Sequence, residues 1–377
     1  MNGEIKKIKI EDLGYDAFFE SSRHKLKLDG FSVARVVVEY RGAYKIRSAN
    51  GEYLAKITGK QMFNASSRED YPAVGDWVAI TELDAERAVI HGILPRRTII
   101  KRRCGDRNKA GEKNETQIIA ANIDVAFVVE SVGRDYNLNR FERYFAIAND
   151  GGVKPAIVLN KIDLISKEEL DLKMAQLKNR FSDIDIILTS AITNEGLNEL
   201  KARISRGKTY CFLGSSGVGK SSLINKLLGE NIIRTEDISF ATGKGKHTTT
   251  NREMYFLPAL RSLGEGAENG GIVIDNPGMR EVGMTDAGAG IDSLFDEITA
   301  LAKKCKYTNC AHTNEPGCEV LLALISGKLD EDKYSNYIGL KREAEYYGMT
   351  ELEKREKDRQ FGKFIKRAKD ELKKYKY

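Results

Sequence analysis

Apolar positions along this chain change their period more than once. From Phe31 to about Arg103 they come in short β-branched and aromatic runs: FSVARVVVEY, AYKIRSA, EYLAKITG, DWVAITEL and AVIHGILP. Turn signals such as Asn50-Gly51 part them. Five short strands at this spacing predict a small barrel, with the OB fold a good candidate. The basic run RRTIIKRR, Arg96 to Arg103, closes the segment, and the 30 residues before it show no assignable period. From Gln117 the rhythm becomes strand then helix. IDVAFVVES, PAIVLNKIDL, IDIILTSA, TYCFLG and GGIVIDNPG read as strands, while NRFERYFAIAND, EELDLKMAQLKNRF and GLNELKARIS carry helical spacing. Such alternation predicts a parallel α/β sheet with helices on both faces. After about Thr285 a short helical region leads to a cysteine cluster, and from Glu319 the pattern is helical and charged. Residues 259–271 read as an inserted loop.

The expectation is therefore a multi-domain chain. An unassigned extension (1–30) precedes an OB-like β barrel (31–110), an α/β domain (111–285), and a helical module with a basic tail (286–377). Composition changes this picture little: 41% apolar residues supply enough material for several cores. Charge sharpens it. Lys+Arg total 61 and Asp+Glu 55, giving net +6, yet the last 27 residues alone hold 11 basic against 6 acidic side chains. The excess is a property of the tail, and the rest of the chain is near neutral. Five cysteines, three of them close together, do not suit a secreted disulfide framework. Residues 1–16 lack the apolar core of a signal peptide, and no apolar window approaches the length of a membrane span. A reduced, cytoplasmic, monomeric protein with no membrane or DNA partner is expected.

The chemistry lies in five motifs. Gly214-Ser215-Ser216-Gly217-Val218-Gly219-Lys220-Ser221 matches the phosphate-binding loop pattern and stands between a strand and a helix, the context that pattern requires. Its glycines let the backbone wrap phosphate oxygens, Lys220 would reach the β and γ phosphates, and Ser221, followed by Ser222, would ligate Mg²⁺. Asn160-Lys161-Ile162-Asp163 closes the strand PAIVL. A carboxylate there can accept from guanine N1–H and the 2-amino group, which adenine cannot match, so Asp163 would select guanine. Asp163 as an ordinary helix cap is the plainer alternative. Ser190 and Ala191 end the next strand and could present backbone N–H to guanine O6. Asp275-Asn276-Pro277-Gly278 offers an acid for Mg²⁺ and a glycine N–H for a γ phosphate, or merely a Pro-Gly turn. Gly243-Lys-Gly-Lys-His247-Thr248-Thr249-Thr250 suits a loop ordered around Mg²⁺ and γ phosphate, with Thr249 or Thr250 as ligand, or a plain surface loop. Last, Cys305-x4-Cys310-x-His312-x5-Cys318 supplies a complete tetrahedral zinc set, read as structural because no position is left for water. Cys104 and Cys211 have no sequence partners.

In this chain the NKxD and TSA elements precede the phosphate loop, the reverse of the ordinary GTPase order. With the barrel before them and the Cys3His cluster after, the chain resembles the ribosome small-subunit-dependent GTPase A (RsgA) family, a circularly permuted GTPase. The matching stretches are PAVGDWV (72–78), IAANIDVAFVV (119–129), NLNRFERY (137–144), VLNKIDL (158–164), GSSGVGKSSLIN (214–225), GKGKHTTT (243–250) and DNPGMRE (275–281). The resemblance covers roughly residues 30–345, and it too places zinc on the four cysteine-cluster ligands. It implies GTP hydrolysis coupled to late maturation of the small ribosomal subunit, stimulated by that subunit, with its rRNA as partner. The alternative is an RNA-binding assembly factor, or a paralogue using GTP as a slow switch on another RNA or on the large subunit. Many GTPases place a water-orienting Gln after DxxG; here that position is Met279, so His247 is the candidate for the task, beside Lys220, Thr249 and Thr250. Arg96, Arg97, Lys101, Arg102 and Arg103 could track RNA phosphates, or form a solvated face.

Overall fold

The computed structural model describes residues 9–104, 115–133, 136–233, 252–257, 270–275 and 288–374. The chain folds as two compact units, Met1–Val282 and Gly283–Tyr377.

The first unit opens with a 3-10 turn, Ile10–Leu13, and helix α1, Ala17–Lys25, capped by Asp16. Only Phe19 among the large side chains of α1 is fully buried; with Leu13 and Tyr15 it packs on Trp77. Strands β1 (Ser32–Tyr40), β2 (Ala43–Arg47) and β3 (Glu52–Ile57) lead to the short helix α2 (Gly59–Asn64), then β4 (Trp77–Glu82) and β5 (Arg87–Ile93). Their order, β1-β2-β3-β5-β4 with β4 back against β1, closes a five-stranded barrel of OB type. Alternate residues point inward, among them Ala34, Val36, Ile46, Ala55, Val78, Ile80 and Ile90.

The basic run does not form a free end to the barrel. Ile99–Cys104 is a strand, β6, paired with β7 (Glu115–Ala121) in a separate antiparallel ribbon. Its cations have internal partners. Arg96 donates to both oxygens of buried Asp76 at 2.7–2.8 Å and to the Glu69 carbonyl at 2.7 Å; Arg97 pairs with Asp16 at 2.6 Å and Lys101 with Glu69 at 2.9 Å. The reading of Arg96 as a phosphate tracker is thus replaced by a structural one, because barrel closure brings Asp76 beside it. The side chains of Arg102 and Arg103 lie outside the described residues.

The α/β part runs β8 (Val125–Ser131), α3 (Leu138–Asp150), β9 (Lys154–Asn160), α4 (Lys167–Arg180), β10 (Ile186–Thr189), α5 (Leu197–Ala202), β11 (Thr209–Leu213), α6 (Lys220–Leu228), β12 (Glu253–Phe256) and β13 (Ile272–Asp275). The sheet order is β10-β9-β8-β11-β13-β12, parallel except for β12. NKxD and the phosphate loop therefore leave the same carboxyl edge, with β8 between their strands, so the permuted order is undone in space. Strand β12 was not foreseen: it pairs with β13 and also with β1, at Val38↔Glu253, so the sheet continues into the barrel.

The second unit is helical: α7 (Gly288–Leu294), α8 (Asp296–Ala302), α9 (Glu319–Ile325), α10 (Glu331–Gly348) and α11 (Glu351–Lys374). Ile291, Phe295, Ile298, Val320 and Leu340 are buried in it. Among the described residues no helix is long and apolar enough to cross a membrane.

Candidate nucleotide and metal sites

Two glycines fix the path of the phosphate loop. Gly214 has φ 146°, and a Cβ there would lie 2.2 Å from the Val129 carbonyl oxygen; Gly219 has φ 100°, and a Cβ would lie 2.3 Å from Asn160 Nδ2. Helix α6 begins directly after, with Gly219 as N-cap and no side-chain cap. Its first N–H groups and the positive end of its dipole are left for an anion. Lys220 is only 6% exposed, and its Nζ donates to the Gly214 and Ser215 carbonyls at 2.8 Å each. Burial pulls its ammonium down to about 8, against the attraction of Asp275 and Glu130.

That depression has a consequence for pH. In the free protein the buried lysine loses its proton above about 8, whereas an incoming phosphate stabilises the charged form. Nucleotide affinity is therefore expected to fall between pH 7.5 and 9, by up to about tenfold per unit, with proton uptake on binding. Titration calorimetry of GDP in two buffers of different ionisation enthalpy measures both; a flat affinity without proton uptake contradicts the assignment.

Asp275 ends β13 and is 3% exposed. Burial pushes its carboxyl up, while Lys220 and a hydrogen bond from Ser221 pull it down. Its Oδ1 is buried without a hydrogen-bond partner among the described residues. A buried carboxylate oxygen with a free lone pair, beside a serine hydroxyl, is a donor set that fits Mg²⁺. Glu130 was missed by the sequence reading, although an acid in the apolar strand IDVAFVVES was a signal. It is fully buried at the end of β8 near Lys220, with Arg140 at 4.0 Å.

The second cluster meets the loop from β9. Asn160 Nδ2 donates to the Val218 carbonyl at 2.8 Å, and Lys161 Nζ to the Gly217 carbonyl at 2.7 Å. Lys161 sits at φ 64°, a left-handed conformation that a side chain adopts only when its surroundings impose it. Thr189, ending β10, donates to Asn160 Oδ1 at 3.1 Å. Buried Ser190 accepts from the Ile192 and Thr193 N–H groups and donates its own proton to Asp163 Oδ1 at 2.5 Å. The hydroxyl thus aims an exposed carboxylate, which can accept two parallel N–H donors. Ile162 is buried under this turn, and Ala191 packs against the core. Asn160 and Lys161 thus meet the loop at Gly217–Gly219, and Ser190 joins Asp163 to the same turn. The Ser190 N–H expected to face guanine O6 instead donates to the Glu195 carbonyl at 3.0 Å, because the turn after β10 closes on it. His247, Thr249, Thr250, Gly278 and Met279 lie outside the described residues.

In the second unit the ligand atoms of Cys305, Cys310, His312 and Cys318 all lie within 4.8 Å of one another. Cys305 Sγ is 3.8 Å from Cys318 Sγ, and His312 Nδ1 is 3.6 and 3.5 Å from those two sulfurs. Three segments converge here. Cys305 follows α8, His312 holds a left-handed turn at φ 59°, and Cys318 is the N-cap of α9. Tyr334 on α10 donates to the His312 carbonyl at 2.6 Å. Three soft thiols and an imidazole nitrogen so disposed can hold a metal ion.

The RsgA GTPase family model matches residues 93–285. A Bacteroides thetaiotaomicron protein named small ribosomal subunit biogenesis GTPase RsgA 1 is 36% identical over 340 residues, 90% of each chain. The chain belongs to the RsgA GTPase family. A Methanosarcina acetivorans RsgA is 40% identical over 290 residues, 75% of this chain and 74% of that one. Among solved structures, YjeQ from Thermotoga maritima is similar with a TM-score of 0.58 and 25% identity, over 85% of this chain and 99% of that one. YloQ, described as a circularly permuted GTPase, shares the fold with a TM-score of 0.55, over 85% of this chain and 97% of that one. This RsgA member thus carries the permuted order and barrel expected from its motifs.

Proposed function

We propose that this RsgA protein hydrolyses GTP during biogenesis of the small ribosomal subunit, and that the subunit with its rRNA stimulates turnover. The observation that carries the reading is the meeting of NKxD with the phosphate loop. Asn160 and Lys161 brace Val218 and Gly217, while Ser190 aims Asp163 outward. Asp163 selects guanine, the loop N–H groups and Lys220 hold phosphates, and the Gly278 N–H meets the γ phosphate. Ser221, Asp275 and Thr249 or Thr250 would hold Mg²⁺, which when bound offsets phosphate charge. His247 orients the attacking water in place of the usual Gln, since the Met279 thioether cannot. The names of the relatives, which place them in small-subunit biogenesis, support the partner.

For the cysteine cluster we read zinc. A tetrahedron with about 2.3 Å to sulfur and about 2.0 Å to nitrogen has edges near 3.5–3.8 Å. The spacings of 3.5, 3.6 and 3.8 Å among Cys305, His312 and Cys318 agree, and Cys310 lies within 4.8 Å of all three. With four protein ligands the ion has no open position and acts structurally. The protein then works as a cytoplasmic monomer.

Two measurements test the reading. Turnover should rise with purified small subunit and not with large subunit; the reverse response refutes the partner. Asp163→Asn should weaken GDP by about 100-fold or more, because an amide N–H₂ opposes the guanine donors, and should gain xanthine nucleotide, whose 2-oxo group accepts from that amide. Unchanged guanine affinity refutes the role of Asp163.

A further inference from the structure

The row of residues that crosses from the nucleotide edge into the barrel is continuous. On β13, Asp275 is in register with Glu253 of β12, and Glu253 is in register with Val38 of β1. Strands spaced about 4.8 Å apart put Val38 only about 10 Å from the Asp275 backbone. The β1–β12 junction is narrow, a single registered pair. Arg252, one residue before β12, braces it. Its guanidinium lies 3.5 Å from Glu39 of β1 and 3.3 Å from Gln117 Oε1 of β7, and its side chain is 11% exposed. Beside the junction is an open groove of about 190 Å³, with Val38, Leu228 and Met254 in its lining and Lys45, Arg47 and Glu52 also bordering it. Leu228 ends α6, the helix that starts at the phosphate loop. The groove is thus bordered by β12, the phosphate-loop helix and the barrel, so a shift of β12 there is not opposed by close packing on that side.

We propose that Arg252 is the positioning residue through which the barrel reads the nucleotide state. The inference rests on Thr249 or Thr250 engaging the γ phosphate side. Only one residue, Asn251, separates Thr250 from Arg252, and a peptide reaches at most about 3.6 Å per residue. Thr250 therefore stays within about 7 Å of Arg252, so a larger displacement of the threonines with GTP carries Arg252 along or breaks its hold, and it holds β1 with one arm of the fork and β7 with the other. The coupling is reciprocal: a partner that repositions β1 favours one arrangement of the threonines. The barrel is then a sensor of the switch, joined to it by this side chain beside the narrow Val38–Glu253 pairing, beyond any contact it makes with RNA.

The test is hydrogen exchange on the full-length protein with GDP and with a non-hydrolysable GTP analogue, in wild type, R252A and R252K. In wild type, protection of β12 is expected to change between the two nucleotides, with β1 and β7 changing in step by about fivefold or more. In R252A the β12 response stays and the β1 and β7 responses fall to within about twofold; R252K, which keeps charge but not the fork, falls between. Thermal melting checks that the variants fold, and Gln117→Ala removes the β7 arm alone should R252A fail to fold. Persistence of the β1 and β7 responses in R252A, or in Q117A for β7, overturns the proposal, as does a wild-type β12 response with β1 and β7 silent. If wild-type β12 itself is silent while fluorescent nucleotide binds, the switch-threonine reading has failed and the inference falls with it.

Discussion

Removing the metal from the Cys305–Cys318 cluster is expected to unfold its surroundings in the C-terminal unit. The ligands come from three segments, two of which are also joined by the Lys306 N–H donating to the Gly317 carbonyl at 3.0 Å. Cys305 follows α8, His312 stands in a left-handed turn, and Cys318 starts α9 while accepting from the Leu321 N–H at 3.4 Å. The loop between them is mostly exposed, and most of its internal bonds are short-range, such as Glu315 accepting from Ala311 and Thr313 N–H at 2.9 Å. Tyr334, reaching the His312 carbonyl at 2.6 Å, ties the loop to α10. Structural zinc contributes about 10–16 kcal/mol of binding free energy in small finger peptides, and that energy is folding energy when the site does not exist in the unfolded chain. Here α7, α8 and α10 have a core of their own around Ile291, Phe295 and Tyr337, so their helices should survive. Chelation, or Cys318→Ala, should open the segment 303–327 to protease, lower helicity from α9, and release about one zinc per chain. A cluster that keeps its protease resistance after complete zinc release refutes the structural role.

The same cluster shows which parts of the molecule were legible in the sequence. Its four ligands lie within 14 residues, and spacing alone can specify tetrahedral ligation. The phosphate loop and NKxD were legible for a related reason, since each is a short stretch whose backbone geometry follows from its own glycines or turn. What escaped depends on pairings set by the whole fold. Arg96 looked like a free cation because Asp76, its partner at 2.7 Å, is 20 residues earlier and arrives only when the barrel closes. Strand β12 is four residues long, and nothing in EMYF says that it joins a GTPase sheet to a barrel. Helix α1 hides its role because a nine-residue helix with one fully buried large side chain has almost no apolar stripe. Glu130 was visible as an anomaly, an acid inside an apolar strand, but its closeness to Lys220 required strand order.

Replacing Arg35 should be the most damaging single change in the first unit. The residue is 1% exposed, in the first barrel strand, within a run that otherwise reads as apolar. Its guanidinium donates to the Leu13 carbonyl at 2.5 Å, the Gly75 carbonyl at 3.2 Å and the Asn122 carbonyl at 3.0 Å. Those carbonyls belong to the N-terminal turn, the barrel and the entry to the α/β sheet, so one planar cation joins three parts of the unit. Burial pulls the guanidinium down to about 10, with Asp124 and Asp76 drawing it back up, so it stays charged at neutral pH. Arg35→Met keeps the volume and the apolar stem but strips the donors. Gly75 retains a bond from Asn122 Nδ2 at 3.1 Å, whereas the Leu13 and Asn122 carbonyls lose theirs, and buried Asp76 and nearby Asp124 lose a positive neighbour. Two unsatisfied buried acceptors and uncompensated acid charge together cost about 3–5 kcal/mol. In a unit of this size that lowers Tm by about 10 °C. Arg35→Lys should recover little, because an ammonium cannot reach three carbonyls in the plane of the fork. The measurement is a thermal melt of the full chain, with the transition of the first unit assigned by tryptophan fluorescence, since the single Trp77 lies beneath Arg35 at 5.7 Å from its guanidinium carbon. A shift below about 2 °C in both variants would mean that the three segments hold together without this cation, and that Trp77 with Leu13, Tyr15 and Phe19 suffices to keep the N-terminal turn in place.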